Sequence, residues 1–236
     1  MTTYNTFCKK IISLTEYNKS QIVQLYLNYY DGSSINKVLT DLENKSEIIL
    51  MYAGEELVGF TTLQFYQTQW NNQAIRVVYS GDTIVDKVHW GQQALTFHCI
   101  KRMGIYKNEQ PEIPLYWFLI VKGYRTYKYM PTFVKSFYPY WKEQRADLKV
   151  IADFLADEKF SDEYNPNTGV IEFSQPQGHL KQEYALPSEK ETSKASVNYF
   201  LQKNPNYTIG HELVCLCELS EQNLKPLTLR VFTKDS

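Results

Sequence analysis

The chain has 236 residues, 43% of them hydrophobic and 22% charged, with a net charge of −1. This is the composition of a globular protein rather than a disordered one, and so weak a field gives no global attraction for nucleic acid or an acidic membrane. No stretch is apolar for long enough to cross a bilayer and the first residues lack the apolar run of a secretory leader, so a cytoplasmic protein is expected.

Residues 11–14, IISL, form a short apolar run that predicts a strand. Ile22, Leu25, Tyr26 and Tyr29 then recur at helical spacing, so a helix is read up to the Asp31-Gly32 break. Ser33 or Ser34 is placed to cap a second helix with Ile35, Val38, Leu39 and Leu42 on one face. Residues 47–53, EIILMYA, read as a strand that turns at Gly54 into a second strand, and Asn71-Asn72 turns that strand into a third, IRVVYSGDTIV. ALTFHCIKRM (94–103) follows as a helix, and PLYWFLIV (114–121) as a fully buried strand. Residues 126–138 predict one helix, with Pro131 in its first turn if it begins near Met130. Beyond Pro139 come a helical pattern (141–160), a turn-rich stretch with one short strand, another helix, the strand HELVCLCEL, and LTLRVF, open between strand and helix.

Tyrosine and phenylalanine are abundant, 19 and 12 residues. They read either as an aromatic core or as a broad, partly polar pocket, because a tyrosine buries a ring while keeping a hydroxyl for a partner. Cys8, Cys99, Cys215 and Cys217 form no CxxC pair and no metal-type spacing with the histidines. Cys215 and Cys217, two apart in a strand, share one face as small core residues. His89 and His98 lack further ligands at a suitable spacing, so no metal is expected.

Strand, two helices, a three-strand meander, a helix, a strand and a helix is an order that resembles the Gcn5-related N-acetyltransferase (GNAT) superfamily over residues 11–138. The resemblance implies a mixed α/β (α+β) fold with a mostly antiparallel central sheet flanked by helices. Residues 1–138 are then an acyltransferase core, and 139–236 a C-terminal extension that packs on it and supplies the last strand or strands. In that family the strand before the long central helix diverges from the next strand. The pantetheine arm of a thioester donor lies in the wedge, and its pyrophosphate rests on the loop that follows.

That loop here is VDKVHWGQQAL (85–95). The family loop reads Q/R-x-x-G-x-G/A after a valine-containing strand end. Val85 matches the strand end, Trp90-Gly91 falls where Arg-Gly is common, and Gln93 and Leu95 take the places of the later glycines. Backbone amides at Gly91, Gln92 and Gln93 remain as donors, while side chains at 93 and 95 hinder a close phosphate approach. The donor readings are acetyl-CoA, a longer acyl-CoA, or the phosphopantetheine of an acyl carrier protein, which needs the loop less.

The resemblance also suggests roles. Asp82, inside an apolar strand, is the general-base candidate, re-aimed by a bulge at Ser80-Gly81; the other reading pairs it with Arg76 or another partner. Phe133 stands where the family often has its acid tyrosine, so Tyr127 or Tyr129 substitutes, or both are aromatic packing. The donor carbonyl leans on a backbone N–H near Ile84 or Val85. Arg125, with Lys122 and Lys128, is an anion contact or a solvated positive turn. Tyr29, Tyr30 and Asp31 occupy the place of the acceptor wall. The implied activity is acyl transfer to a small-molecule or peptide amine; the other reading is a non-catalytic protein of this fold that binds a metabolite or protein. An exposed edge strand near the C-terminus makes a homodimer plausible on this reading.

Overall fold

The computed structural model describes residues 3–175 and 177–234. Strand β1 (Tyr4–Lys10) lies upstream of the strand expected at 11–14, which is a single 3-10 turn with Ile12 in solvent. β1 hides from pattern reading because it is an edge strand without a buried face, and its Phe7 is half exposed. Helix α1 (Glu16–Tyr29) starts at Thr15, whose hydroxyl accepts the Asn18 N–H while the Asn18 side chain accepts the Thr15 N–H. It buries Ile22, Leu25, Tyr26 and Tyr29, as their spacing predicts. The two-residue strand β2 (Tyr30–Asp31) follows, and Ser34 caps α2 (Ile35–Glu43), which buries Val38 and Leu42 and leaves Ile35 exposed.

The meander is β3 (Glu47–Ala53), β4 (Glu56–Trp70) and β5 (Gln73–Val85). Asn71 and Asn72 turn the chain between β4 and β5 with φ of 49° and 62°, the left-handed pair that a tight two-residue hairpin needs. Helix α3 (Ala94–Glu109) and the buried strand β6 (Leu115–Val121) come next. The single helix expected over 126–138 is broken into two short pieces, α4 (Tyr124–Tyr127) and α5 (Tyr129–Phe133), after which the chain runs extended and Tyr138 pairs with Leu216. Pro131 falls in the first turn of α5, where its missing N–H breaks no helical bond.

The remainder comprises α6 (Ala146–Phe160), the hairpin β7 (Tyr164–Asn165) and β8 (Val170–Ile171), β9 (His179–Leu180), α7 (Gln182–Ala185), α8 (Glu189–Thr192), α9 (Ala195–Lys203), β10 (Glu212–Glu218) and α10 (Pro226–Phe232). The last run is thus a helix, with proline at its start. No described helix is long and apolar enough to cross a membrane.

Eight strands form one sheet in the order β1-β3-β4-β5-β6-β10-β8-β7. Every neighbouring pair is antiparallel except β5 and β6, which run parallel. β10 is interior, between β6 and β8, so the exposed edge expected near the C-terminus is absent there; that edge of the sheet is the two-residue β7. Helices α1 and α2 cover one face over β3 and β4, and α6 covers the same face over β5, β6 and β10. On the opposite face α3, α4, α9 and α10 close the largest apolar core, where Cys215 and Cys217 lie together without solvent.

Candidate active site

β5 and β6 stay paired from Arg76 opposite Leu115 to Ser80 opposite Leu119 and then part. Beyond that point residues 81–85 have β4 as their partner, while β6 continues against β10. Opposite Thr61, β5 carries two residues, Asp82 and Thr83, and Asp82 has φ of 41°. This bulge lies just past the one expected at Ser80-Gly81. It flips the side-chain alternation: Tyr79 and Ile84, opposite Gln64 and Phe60, share a face that uninterrupted counting by twos would deny them.

The flip turns Asp82 toward α1 and α2. There it lines a cavity of about 10 Å³, room for roughly one water, with Tyr26, Asp41, Phe60 and Thr62 among its walls. Its charged neighbour is Lys45, whose Nζ stands 3.9 Å from the carboxylate and 5.2 Å from the Tyr79 ring centre. Arg76 is instead bonded to Glu109 at 2.8 Å and stacked on Tyr106. Six residues along a strand span roughly 20 Å, which puts Arg76 out of reach of Asp82.

Across the gap, Lys122 at the end of β6 meets Glu212 at the start of β10, 3.3 Å apart and both largely dehydrated. Burial raises the Glu212 carboxyl; burial alone would lower Lys122, but Glu212 together with Tyr30 and Asp82 more than offsets it and Lys122 is raised. Tyr26 stacks on Tyr30 at 4.5 Å, and burial raises the phenols of Tyr26, Tyr30 and Tyr79, so all three remain protonated at neutral pH. Tyr30 thus packs between Tyr26 and Lys122, whose Nζ lies 5.7 Å from its ring centre. Tyr29 serves the loop instead, its hydroxyl accepting the Lys87 N–H at 2.7 Å. Asp31 lines an open groove of about 490 Å³ with Lys181, Gln182, Glu183 and Leu186.

In the loop, Asp86 caps the short 3-10 turn at 87–89 by accepting the Val88 N–H. Gly91, Gln92 and Gln93 are exposed, and a Cβ at Gly91 would meet open space. No side chain caps the first N–H groups of α3, so the anion-binding end of the helix is open. Leu95 is buried in the core, so of the two side chains expected to hinder an anion only that of Gln93 stays on the loop. The Trp90 indole N–H donates to the Val85 carbonyl at 2.8 Å, and the Arg125 guanidinium lies 4.2 Å from the Trp90 ring centre. Arg125 also donates to the Tyr184 carbonyl. Lys122 and Lys128, the other two anion contacts expected, are engaged by Glu212 and Glu191.

The structure separates the two acid candidates. Tyr127 has no solvent exposure, sits among Phe137, Trp141 and Phe200, and donates its hydroxyl proton to the Pro139 carbonyl at 2.8 Å. Its role is therefore packing, because neither its ring nor its hydroxyl faces the gap. Tyr129 is half buried, its hydroxyl meets Thr96 in the first turn of α3, and burial raises its phenol. Lys45, Glu212 and Tyr184 carry no motif, and only Glu212, a glutamate at the head of the apolar run ELVCLCEL, gives a hint in the sequence. Among the described residues no three His, Cys, Asp or Glu side chains gather as a metal site; His89 and His98 instead bond Tyr4 and Thr6 at 2.9 and 2.8 Å.

No family model matches the chain, and no curated protein matches it by sequence. Solved structures overlay part of it. A probable N-acyltransferase of Enterococcus faecalis is 12% identical with a TM-score of 0.42, over 57% of this chain and 33% of that protein, so the chain spans a third of it. ElaA of Escherichia coli is 14% identical with a TM-score of 0.38, over 61% and 95%. An acyl-CoA N-acyltransferase of Pseudomonas aeruginosa is 13% identical with a TM-score of 0.40, over 59% and 94%. Likenesses this partial carry nothing about chemistry. The GNAT-like character of the fold stands on its strand order, its single parallel pair and the bulge in β5.

Proposed function

We propose that the chain transfers an acyl group from a pantetheine thioester to an amine. The observation that carries this reading is the parting of β5 and β6 beyond Ser80 and Leu119, directly before a helix whose N-terminus is uncapped. The freed edge of β5 at Ile84 and Val85 suits the amides of an extended pantetheine arm, as a strand edge suits any extended chain. The amides at Gly91 and Gln93 and the start of α3 suit its phosphate, with Trp90 and Arg125 at the side, whereas the Gln92 N–H is already given to the His89 carbonyl at 3.2 Å.

The donor, acetyl-CoA, a longer acyl-CoA or a carrier-borne phosphopantetheine, supplies an activated acyl carbonyl. Asp82 takes the proton of the attacking amine, and Tyr129, held protonated by burial, gives one to the leaving sulfur. The N–C bond forms as the C–S bond breaks, and each proton has a named acceptor. Tyr26, Tyr30 and Lys45 position Asp82 and wall the acceptor side. On this reading the part of the chain beyond Pro139 is an extension that supplies the interior strand β10 and covers the acceptor side.

A second reading, a non-catalytic protein of this fold that binds a metabolite or protein, is favoured by one observation: the Val85 carbonyl already accepts the Trp90 N–H. Calorimetric titration with acetyl-CoA, a long-chain acyl-CoA and pantetheine, followed by thiol release over a panel of amines, separates the two. Amine-dependent thiol release supports transfer, and binding without release supports the second reading. If none of the three binds, the gap is not a site for a free thioester, and the same titration with an acylated carrier protein decides between a carrier-borne donor and none.

A further inference from the structure

Trp90 belongs to the loop after β5, and Arg125 to α4 after β6. Their stack at 4.2 Å therefore joins the two lips of the gap just where the strands have parted. Residues 177–186 lie across this bridge. The carbonyl of Gln177 accepts Lys122 Nζ at 3.1 Å, β9 pairs with β2, and the Lys181 N–H donates to the Tyr29 carbonyl at 2.9 Å. The segment thus runs from the end of β6 to the end of α1. Tyr184, in α7, then sets its ring 4.7 Å from Tyr29 and 6.3 Å from Trp90, with its carbonyl on Arg125.

The crossing is tight at one end and light at the other. A Cβ on Gly210 would come within 2.9 Å of the Gly178 carbonyl oxygen, and one on Gly178 within 3.1 Å of Ser33. Those contacts fix residues 177–180. Past them, α7 is a single four-residue turn that buries only the small side chain of Ala185, Leu186 behind it is 49% exposed, and the stack it covers rests on a Trp90 that is 42% exposed. Such contacts break at little cost. The bridge also engages groups a donor needs, the Val85 carbonyl and the Arg125 guanidinium.

We infer that access to the donor site is gated by Trp90, Arg125 and Tyr184, with α7 as the part that lifts. The inference rests on reading the gap as the donor site. In this structure the gate is shut, and an entering donor exchanges the Trp90–Val85 and Arg125–Tyr184 bonds for its own. Because only the open fraction binds, the apparent affinity is the intrinsic affinity scaled by that fraction.

The test pairs two variants of the full chain, Tyr184→Ala and Trp90→Phe, with two readouts: amide hydrogen exchange over 179–186, and titration with acetyl-CoA and pantetheine. Exchange there rises at least about tenfold in Tyr184→Ala while protection in β3 to β5 is kept, and acetyl-CoA binds more tightly by a comparable factor. Trp90→Phe, which keeps a ring but lacks the N–H donor, moves both readouts in the same direction by less. Exchange unchanged in both variants overturns the gate, whatever binds. Faster exchange with unchanged donor affinity also overturns it, because the bridge is then outside the donor's path. Faster exchange with no binding by wild type or variants overturns the reading of the gap as a site for a free thioester and leaves α7 as a local cover.

Discussion

Lys122 Nζ stands 3.3 Å from Oε1 of Glu212, and both side chains have lost about nine-tenths of their solvent. In such a place the pair matters less for what it adds than for what its rupture leaves behind, a buried charge without a partner. Lys122→Met is expected to lower unfolding free energy by about 3–5 kcal/mol, whereas Lys122→Met with Glu212→Leu together is expected near neutral. Chemical denaturation of the three proteins decides it. A single variant as stable as wild type contradicts the dehydration of this pair.

Asp82 tests the chemistry. Its φ of 41° is a conformation that asparagine tolerates nearly as well as aspartate, so Asp82→Asn changes the charge and keeps the backbone. Turnover is expected to fall by about 10²–10⁴ with donor affinity and thermal midpoint close to wild type. Asp82→Ala is a poorer probe, since alanine is strained at that φ. Unchanged turnover in Asp82→Asn removes the carboxylate from the reaction and leaves it as the partner of Lys45.

Glu191 gives a pH signature to the extension. The ammonium groups of Lys194 and Lys128 lower its carboxyl from the ordinary 4.5 to about 2. A carboxyl depressed in the folded state contributes stability that is complete above its unfolded value and fades as pH falls from there through about 2. The stability difference between wild type and Glu191→Gln is therefore expected to be widest above pH 4.5 and to close toward pH 2. The side chain is partly in water, so added salt shrinks the difference. A difference independent of pH from 2 to 6 assigns the effect to packing instead.

The meander, both early helices, α3 and β6 were legible because each carries its own periodicity and its own turn, the Asn71-Asn72 pair most clearly. β1 was not, since an edge strand with half-buried residues has no apolar face to read. The bulge was legible only to within a residue or two. Its consequence, Tyr79 and Ile84 on one face, depends on where the extra residue falls. Asp82 stands out as an acid in an apolar strand, with Arg76 or another partner expected beside it; the partner is Lys45, which no pattern points to because it comes from the turn after α2, 37 positions earlier. The gate was invisible for the same reason: Arg125 and Tyr184 meet across 59 positions of sequence. Tyr127 and Tyr129 looked alike in sequence and differ only in what surrounds them, the Pro139 carbonyl for one and Thr96 for the other.

Gly104 tests the packing of the last helix. It sits in α3, where glycine ordinarily weakens a helix and alanine stabilises it by up to about 1 kcal/mol. Here a Cβ would fall 1.9 Å from the carbonyl oxygen of Phe232 at the end of α10, an overlap with backbone that no side-chain rotation relieves. The clash and the propensity therefore pull in opposite directions, and overpacking against main chain is the larger effect. Gly104→Ala is expected to lose about 3 kcal/mol or more, read as a lower thermal midpoint, with α10 displaced from α3. The sign alone is diagnostic: a gain in stability would mean that α10 does not approach α3 as closely as the structure has it.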